Sequence, residues 1–381
     1  MKMLSYGRQS ISQEDIEAVQ RALESDFITQ GPIVEEFEQM LCSFTGARFA
    51  VAVTNGTAAL YLACRALEVG KESLGVTTPL TFVASASCVV LCGGRVDFVD
   101  VDKENMNMVP EFLEEYCKKV SVPDVVIPVD FAGLPCRLED FWRLSKEFGF
   151  KIIEDAAHSI GSSYKNSEGQ WTQCGGCEHS HLAIFSFHPV KNITSGEGGA
   201  VLTNDPSLAK RLKILREHGI ERQTPWRYDI KDLSLNFRLS AIHAALGISQ
   251  LKRLELFKKK RNSLFNAYLN RLSDLEKKEK VFLPKAKADA SVCWHLFVLR
   301  LGPAARISRD ELLERLMDYG IQAQIHYRLV CDFTYFKQSN MKGSELENAK
   351  EISESCLSLP LFPDLKEEQL DKVCQVLEEL L

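Results

Sequence analysis

Residues 182–204 read Leu-Ala-Ile-Phe-Ser-Phe-His-Pro-Val-Lys-Asn-Ile-Thr-Ser-Gly-Glu-Gly-Gly-Ala-Val-Leu-Thr-Asn. Two apolar runs, Leu182 to Phe187 and Gly199 to Thr203, predict strands on either side of a turn rich in Pro, Ser and Gly. Lys191 lies in this turn, and the small residues after it leave room for a bulky group. A lysine held in such a turn cannot extend into solvent freely, so desolvation favours its neutral, nucleophilic amine. Lys191 is therefore a candidate for Schiff-base chemistry with an aldehyde cofactor, the alternative being a solvated loop lysine.

The rest of the chain alternates short apolar runs with helical patterns. Strands are predicted at 49–53 and 151–154, and helices at 57–67 and 82–91. This alternation is typical of an α/β fold in which helices flank a mostly parallel sheet.

The length of 381 residues favours one large and one smaller domain over a single minimal domain. The composition changes in the last third of the chain, where Lys and Glu dominate residues 276–280 and a new strand is predicted at 293–301. We therefore predict a large domain over residues 1–250 and a smaller C-terminal α+β domain over residues 251–381.

The overall charge and the apolar pattern restrict the partners. A net charge of −6 argues against nucleic acid, because nucleic-acid-binding surfaces are basic. The longest basic run, Lys258–Arg261, lies in a predicted helix and is interpreted as a solvent-exposed face. No apolar stretch is long enough to span a membrane or to serve as a signal peptide. Twelve cysteines without an export signal indicate reduced thiols, so we expect a cytoplasmic protein without a membrane partner.

A second group of residues could form a metal site. Cys174 and Cys177 are followed closely by His179 and His181, and two Cys with two His can bind zinc. The spacer between the two pairs is shorter than in a zinc finger, and the residues from Cys177 to His181 alternate as a strand would. We therefore predict no metal.

Two polar positions follow predicted strands and should lie at the same sheet edge as Lys191. Asp155 ends the strand at 151–154, and carboxyl ends of parallel strands face the crevice where α/β sheets bind ligands. Gly56-Thr57-Ala58 begins the helix after the first strand, and helix amino termini bind anions through free amides. Both positions have a simpler explanation, since Asp155 and Thr57 could each cap a helix.

The segment Ser186-Phe-His-Pro-Val-Lys191, with Ile193-Thr194 and Gly196-Glu-Gly-Gly199 after it, resembles the lysine motif of the DegT/DnrJ/EryC1/StrS aminotransferases. The resemblance extends from Tyr6 to about Pro360. It implies a fold-type-I enzyme that uses pyridoxal 5′-phosphate (PLP) to aminate keto-sugars attached to nucleotides. It also implies that Lys191 binds PLP as a Schiff base and moves the proton during transfer, while Asp155 keeps the pyridine nitrogen protonated.

The resemblance assigns further cofactor contacts. The PLP phosphate is expected to bind Gly56, Thr57, Ala58 and Ser186. The ring is expected to stack on Phe82 and to contact His158, which could equally be an ordinary buried histidine. Asn236 resembles an asparagine that reaches the phosphate from the neighbouring subunit, which implies a homodimer with two shared active sites.

Within this family the chain is most similar to the branch that aminates C4 of a UDP-linked 4-keto-6-deoxy-N-acetylhexosamine for pseudaminic acid, with glutamate as the donor. The substrate contacts implied by this resemblance are Tyr6, Asp26, Phe27, Ile28, Thr29, His326 and Tyr327, with Arg238 and Arg328 as candidate partners of the diphosphate or of structural ion pairs. Relatives usually have Pro two residues after the tyrosine at 327, and here Leu329 stands there. Since Leu does not fix φ as Pro does, the loop could adopt another conformation.

Three alternatives follow from the same motifs. The sugar could belong to a UDP-bacillosamine or dTDP-amino-sugar pathway. A related PLP enzyme removes a hydroxyl from C3 of a keto-sugar, but it has His at the position of Lys191. A non-catalytic regulatory protein is the third alternative, and the presence of Lys191, Asp155 and Ser186 argues against it.

Overall fold

The computed structural model describes residues 3–224, 226–337 and 345–381. The strands, numbered along the chain, are β1 Phe49–Val53, β2 Leu74–Thr77, β3 Arg95–Phe98, β4 Val125–Ile127, β5 Lys151–Asp155, β6 Ser163–Lys165, β7 Trp171–Gln173, β8 Leu182–Ser186, β9 Gly199–Thr203, β10 Ile220–Thr224, β11 Arg227–Ile230, β12 Val281–Phe282, β13 Ala290–Ser291, β14 Phe297–Leu301 and β15 Cys356–Leu359.

The helices are α1 Gln13–Leu23, α2 Pro32–Thr45, α3 Gly56–Ala66, α4 Ala84–Leu91, α5 Pro110–Lys119, α6 Leu138–Phe148, α7 Pro206–Arg216, α8 Ala241–Lys252, α9 Leu254–Lys277, α10 Arg309–Asp318, α11 Thr334–Lys337, α12 Glu347–Ser355 and α13 Glu367–Leu380. None of the helices in the described ranges is long and apolar enough to cross a membrane.

Seven strands form the central sheet, in the order β1-β9-β8-β5-β4-β2-β3. β9 pairs antiparallel with both of its neighbours, and the other pairings are parallel. The helices α3 and α4 pack on this sheet over a buried apolar core. This arrangement confirms the predicted α/β fold with a mostly parallel sheet.

The topology places the predicted site residues at one edge of the sheet. Because β1, β5 and β8 run in the same direction, their carboxyl ends meet where β8 turns back into β9. The predicted strands around Lys191 are thus confirmed as an antiparallel pair. Two predicted bounds were too wide: the helix predicted from residue 82 begins at Ala84, and the strand predicted from residue 293 begins at Phe297.

The strand predicted from Cys177 to His181 is wrong. The segment consists of turns and bends before β8, and Cys177 has a left-handed φ of 55°. The two histidines have separate partners, since His179 Nδ1 lies 2.8 Å from the Tyr164 hydroxyl and His181 Nδ1 accepts from the Ile152 amide at 3.0 Å. Hydrogen bonds to residues 15 and 29 positions away therefore hold this segment, and the alternation of polar and apolar residues did not indicate them.

The C-terminal part builds a second apolar core. The three-stranded antiparallel sheet β12-β14-β15 packs with α9, α10 and α13 around side chains such as Phe265, Phe297 and Leu377. Helix α8 ends at Lys252 and α9 begins at Leu254, close to the predicted boundary. The division into domains at residue 250 stays a prediction.

Helix α9 corrects the interpretation of the basic run. Its buried face includes Leu254, Phe257, Arg261, Leu264 and Tyr268, with the spacing of three and four residues that places side chains on one face of a helix. The Arg261 side chain is fully buried, whereas Lys259 and Lys260 are exposed. The run is therefore not a uniformly solvated face.

A pair of acidic side chains is buried beneath the sheet edge. Asp130 and Glu154 lie within 4.8 Å of one another and of Cys174 Sγ. Asp130 accepts from the Ser159 hydroxyl at 2.6 Å, and Glu154 accepts from the Gly175 amide at 2.9 Å. Burial raises the pKa of both carboxyls, and the neighbouring Asp130 raises that of Glu154 further. The pair is therefore expected to hold a proton in the folded state.

This proton predicts a pH-dependent stability. Burial and the neighbouring Asp130 hold the pKa of Glu154 well above its ordinary value of 4.5, so the folded state binds this proton more tightly than the unfolded state. The contribution of this proton to the free energy of unfolding is fully present below about pH 4.5. It falls by roughly 1.4 kcal/mol per pH unit as the pH rises towards the folded pKa. Glu154→Gln should therefore gain free energy of unfolding relative to the natural chain between pH 5 and pH 8 in urea titrations. The matched variant at an exposed position, Glu36→Gln, should keep the pH profile of the natural chain. If the unfolding free energies of Glu154→Gln and of the natural chain changed with pH in parallel, the shared proton would be contradicted.

Candidate active site

The turn between β8 and β9 holds Lys191 at the sheet edge. The Phe187 amide donates to the Gly198 carbonyl at 2.8 Å, and the Lys191 amide donates to the His188 carbonyl at 2.9 Å, which closes the turn. The Lys191 side chain is half-buried, and burial lowers its pKa to about 8. With a pKa of about 8, roughly a tenth of this amine is neutral at pH 7 and about half at pH 8, and the neutral form is the one that attacks an aldehyde.

The carboxylate of Asp155, at the end of β5, interacts electrostatically with the amine of Lys191. Its Oδ2 accepts from the Ser85 hydroxyl at 2.7 Å and its Oδ1 from the Ala157 amide at 3.2 Å. Burial raises the pKa of Asp155, while these hydrogen bonds and the charge of Lys191 lower it. The carboxylate raises the pKa of Lys191 in return, against the effect of burial. The carboxyl group is thus buried but held by hydrogen bonds that its ionised form can accept.

The amino terminus of α3 meets the end of β8. Asn55 is the N-cap, and its side chain accepts from the Ala58 amide at 2.8 Å. A Cβ on Gly56 would lie 3.1 Å from Ser186 Oγ, so the serine hydroxyl packs directly against this turn. The predicted phosphate ligands Gly56, Thr57 and Ser186 therefore come together. The Ala58 amide is already bonded, which corrects the expectation that it is free, and the cap is Asn55 and not Thr57.

His158 belongs to a cluster of rings behind the lysine. Its Nε2 lies 3.2 Å from the Tyr327 hydroxyl, and its ring centroid lies 4.4 Å from that of His295. Burial lowers the pKa of His158 well below the ordinary value, and the charge of Lys191 lowers it further. The buried Nδ1 atoms of His158 and His295 have no hydrogen-bond partner among the described residues. His158 is thus neutral and has an unused polar atom, unlike an ordinary, satisfied buried histidine.

These groups fit PLP. The aldehyde needs an amine, the pyridine nitrogen a carboxylate, and the phosphate an anion site with close backbone approach, and Lys191, Asp155 and the Gly56 turn have these properties. Phe82 precedes α4 and its side chain is 57% exposed, although it lies one turn from the buried Ser85. An exposed aromatic ring beside a buried carboxylate is suited to stacking against a cofactor ring.

Two of the predicted substrate contacts, Tyr6 and His326, lie next to each other. Their ring centroids are 5.4 Å apart, and His326 Nδ1 lies 2.8 Å from Ser358 Oγ. Burial lowers the pKa of His326 to about 3, so the ring is neutral. Leu329 is buried with a φ of −60°, the angle that Pro would impose. The departure from Pro therefore leaves the backbone φ at this position unchanged.

The segment from Asp26 to Thr29 is exposed and lies against the start of α8. The Ala241 amide donates to the Ile28 carbonyl at 3.1 Å, and Thr29 pairs with Ser240. Ser240 Oγ lies 2.7 Å from His243 Nδ1, and the ring of His243 packs against Gly196 of the lysine turn. Phe27 is exposed with its neighbours. The segment is thus adjacent to the turn that holds Lys191.

The remaining predicted residues form hydrogen bonds or ion pairs within their own chain. Arg238 forms an ion pair with Glu217 at 3.6 Å, and Arg328 donates to the Asp332 carbonyl at 3.1 Å. Asn236 Oδ1 accepts from the Arg238 amide at 3.1 Å, and Asn236 is exposed. The polar groups of these three side chains are thus bonded to other residues of the same chain.

Sequence reasoning missed two residues that position the site. Ser85 supports Asp155, and its only signal is that it is one of two serines in a largely apolar helix. Asn192 donates to the carbonyls of Cys293 at 2.9 Å and His158 at 3.2 Å, so it connects the lysine turn to two distant segments. Its position directly after Lys191 could have indicated a role, but its partners lie far away in the sequence.

The comparisons with known proteins agree with this geometry. The model of the DegT/DnrJ/EryC1/StrS aminotransferase family matches residues 9–378. The chain is 35% identical, over 364 residues, to the UDP-4-amino-4,6-dideoxy-N-acetyl-beta-L-altrosamine transaminase of Campylobacter jejuni, covering 95% of this chain and 93% of that one. Helicobacter pylori PseC, an aminotransferase involved in the biosynthesis of pseudoaminic acid, is 27% identical with a TM-score of 0.89, covering 100% of this chain and 99% of that one. The PLP-form of Spr1654 from Streptococcus pneumoniae is 26% identical with a TM-score of 0.88 and full coverage of both chains.

The lowered pKa of Lys191 predicts how the cofactor-free protein reacts with an acylating reagent. Only neutral amines are acylated, so labelling of Lys191 should rise with a midpoint near pH 8, the value that burial gives it. A free lysine side chain should titrate near pH 10.4. Asp155→Asn removes a charge that raises the pKa of Lys191, so the midpoint should move lower. Competitive acetylation with acetic anhydride, read by peptide mass spectrometry against a free lysine amide, measures both. A midpoint equal to that of the free amine would contradict the buried environment.

Proposed function

Since the chain belongs to the DegT/DnrJ/EryC1/StrS aminotransferase family and is therefore PLP-dependent, we propose that it aminates C4 of a UDP-linked 4-keto-6-deoxy-N-acetylhexosamine. Glutamate is the proposed donor, and the product is a UDP-4-amino-4,6-dideoxy sugar for a pseudaminic acid-type surface glycan. The sugar is inferred from the names of the Campylobacter jejuni and Helicobacter pylori relatives. The observation that carries the aminotransferase chemistry is a lysine of lowered pKa beside a hydrogen-bonded buried aspartate.

The cofactor, when bound, supplies an electron sink and carries the amino group between the two substrates. Lys191 would hold its aldehyde, and a pKa of about 8 suits the amine both to accept and to donate a proton near neutral pH. Asp155 holds the pyridine nitrogen protonated, and Ser85 keeps the carboxylate oriented. Gly56, Thr57 and Ser186 hold the phosphate at the amino terminus of α3.

We propose that Tyr6, His326 and Tyr327 line the sugar site. Neutral rings and a phenol hydroxyl can bind a sugar by stacking and by single hydrogen bonds without a net charge. Tyr327 also contacts His158, so a substrate at this tyrosine would lie next to the ring cluster behind Lys191. The exposed segment from Asp26 to Thr29 is proposed to complete the site on the other side of the lysine turn.

We further propose a homodimer with shared sites. The hairpin β10–β11 and the segment after it expose large apolar side chains, including Trp226 at 83% and Leu233 at 81%. Such a patch is typical of a protein interface. Pro225 of this hairpin lies outside the described residues. Asn236 follows the patch directly and is exposed, so it is suited to reach the phosphate site of a second subunit.

A reducing compartment is consistent with the thiols. All twelve cysteines are free, and most are buried. Disulfides form in oxidising compartments, and a chain with this many free cysteines is typical of the cytoplasm. We therefore propose a cytoplasmic location.

The substrate proposal is tested by mixing the PLP-loaded protein with glutamate and a panel of UDP- and dTDP-linked 4-keto-6-deoxy sugars. The UDP-linked N-acetylhexosamine should gain a C4 amine, visible by mass spectrometry, at a rate at least tenfold above the dTDP sugars. Lys191→Ala should remain folded but lose turnover and the near-visible absorbance of the lysine-bound cofactor. Turnover in that variant would contradict the role of Lys191, whereas preference for a dTDP sugar would overturn only the substrate.

Shared sites predict complementation between two inactive variants. Lys191→Ala and Asn236→Ala subunits, mixed under conditions of subunit exchange, should form hybrids in which one site carries both lesions and the other carries neither. Activity of the mixture should then reach a quarter of the natural rate, because half of the dimers are hybrids with one intact site each. The controls are the two parent variants, of which Asn236→Ala must itself be strongly impaired. No recovery despite exchange shown by mass spectrometry would place Asn236 in the site of its own chain.

A further inference from the structure

Arg261 is the fully buried member of the basic run Lys258–Arg261, and the proposed function gives it no role. Its side chain is fully buried, at a position of α9 where the helical period places a core residue. No carboxylate among the described residues forms an ion pair with it. Burying a guanidinium without an opposite charge is costly, so its hydrogen bonds must compensate.

Four backbone carbonyls surround the guanidinium. Nη1 donates to the carbonyls of Leu361 at 3.0 Å, His295 at 3.2 Å and Trp294 at 3.4 Å. Nη2 donates to the carbonyl of Lys191 at 3.5 Å. These carbonyls belong to three segments that are far apart in the sequence. The planar guanidinium, with five donors in a fixed fork, can reach several acceptors at once, which lysine cannot do.

Two of these carbonyls belong to residues at the active site. Lys191 carries the reactive amine, and the His295 ring lies 4.4 Å from the ring of His158. Asn192 connects the same elements from the other side, because its amide donates to the Cys293 and His158 carbonyls. Burial lowers the pKa of Arg261 to about 10, which leaves it charged at neutral pH. A fixed, charged donor thus holds the lysine turn and the histidine pair in one arrangement.

We propose that Arg261 is a positioning residue for Lys191: it holds the lysine backbone from α9 so that the amine points at the cofactor aldehyde. This rests on the proposed role of Lys191. Arg261 contacts no reacting atom, and it acts through the carbonyl of Lys191 and through the His295–His158 pair. Loss of its donors should therefore disturb the placement of the amine more than the binding of the sugar.

The test compares variants on the same helix. Arg261→Met keeps an unbranched apolar stem without donors, and Arg261→Lys keeps the charge without the fork. Tyr268→Phe is the matched control, because the buried Tyr268 hydroxyl donates from α9 to the Pro360 carbonyl at 3.0 Å, beside Leu361. Among the described hydrogen bonds, none joins Tyr268 to the lysine turn. Lys259→Met tests an exposed member of the basic run.

Four readouts are compared: melting temperature, the near-visible band of the lysine-bound cofactor, the release rate of PLP, and kcat against KM. Both Arg261 variants should release PLP at least tenfold faster and lower kcat at least tenfold, with KM for the nucleotide sugar changed less than threefold. Tyr268→Phe should lower the melting temperature yet keep the band and kcat, and Lys259→Met should change nothing. If Arg261→Met does not fold, the same readouts of Arg261→Lys test the proposal.

The proposal is overturned if a folded Arg261 variant keeps the natural kcat and the natural release rate of PLP. It is also overturned if kcat falls in proportion to melting temperature in Tyr268→Phe and in the Arg261 variants alike. Failure of the proposed function has a different signature. If Lys191→Ala kept turnover, the role of the lysine would be wrong whatever the Arg261 variants do. The acetylation of Lys191 in the cofactor-free protein gives a further readout, since a displaced amine should change its reactivity in Arg261→Lys and not in Tyr268→Phe.

Discussion

The close approach of three backbone segments at the carboxyl edge of the sheet is the constraint on which the site depends. A Cβ on Gly199 would lie 2.5 Å from the carbonyl carbon of Asn55, and one on Gly56 would lie 2.8 Å from the Cβ of Ser186. Neither position can hold a larger residue without moving the backbone. Because both are glycines, β9 returns from the lysine turn directly against the start of α3. The amino terminus of α3, after β1, and the Lys191 amine, after β8, are thereby held at one edge of the sheet with β9 between the two strands.

Opposed electrostatic effects determine the state of the site at that edge. Burial lowers the pKa of Lys191 and raises that of Asp155, so burial favours the neutral form of both groups. The charge of Asp155 raises the pKa of Lys191, and the charge of Lys191 lowers the pKa of Asp155, so each opposes the effect of burial. The hydrogen bond from the Ser85 hydroxyl also favours the ionised carboxylate. The result is an amine that is neutral often enough to react, beside a carboxyl group that can still bear charge. Neither property follows from one residue alone.

The sequence predicted what depends on local pattern and failed where distant contacts decide. The strands around Lys191 were predicted well because apolar runs and a glycine-rich turn are local signals. The strand predicted at Cys177 was wrong, since hydrogen bonds to residues far away in sequence direct that segment. Ser85 was missed for the same reason: its partner, Asp155, is 70 positions away. For Arg238 and Arg328 the sequence left a diphosphate contact and a structural ion pair both open, and in the single chain Arg238 pairs with Glu217 while Arg328 donates to the Asp332 carbonyl.

Arg261 shows how a composition-based interpretation and a periodicity-based one can disagree within four residues. As part of Lys258–Arg261 it reads as surface charge, but the apolar residues at 254, 257, 264 and 268 place position 261 on the inner face of the same helix. When the two signals conflict, periodicity is the stronger, because a helix cannot turn one residue outwards without turning its neighbours. A charge that remains on an inward face must then find acceptors there. The carbonyls it finds belong in part to the reactive lysine, so the helix of the C-terminal core is coupled to the chemistry at the sheet edge.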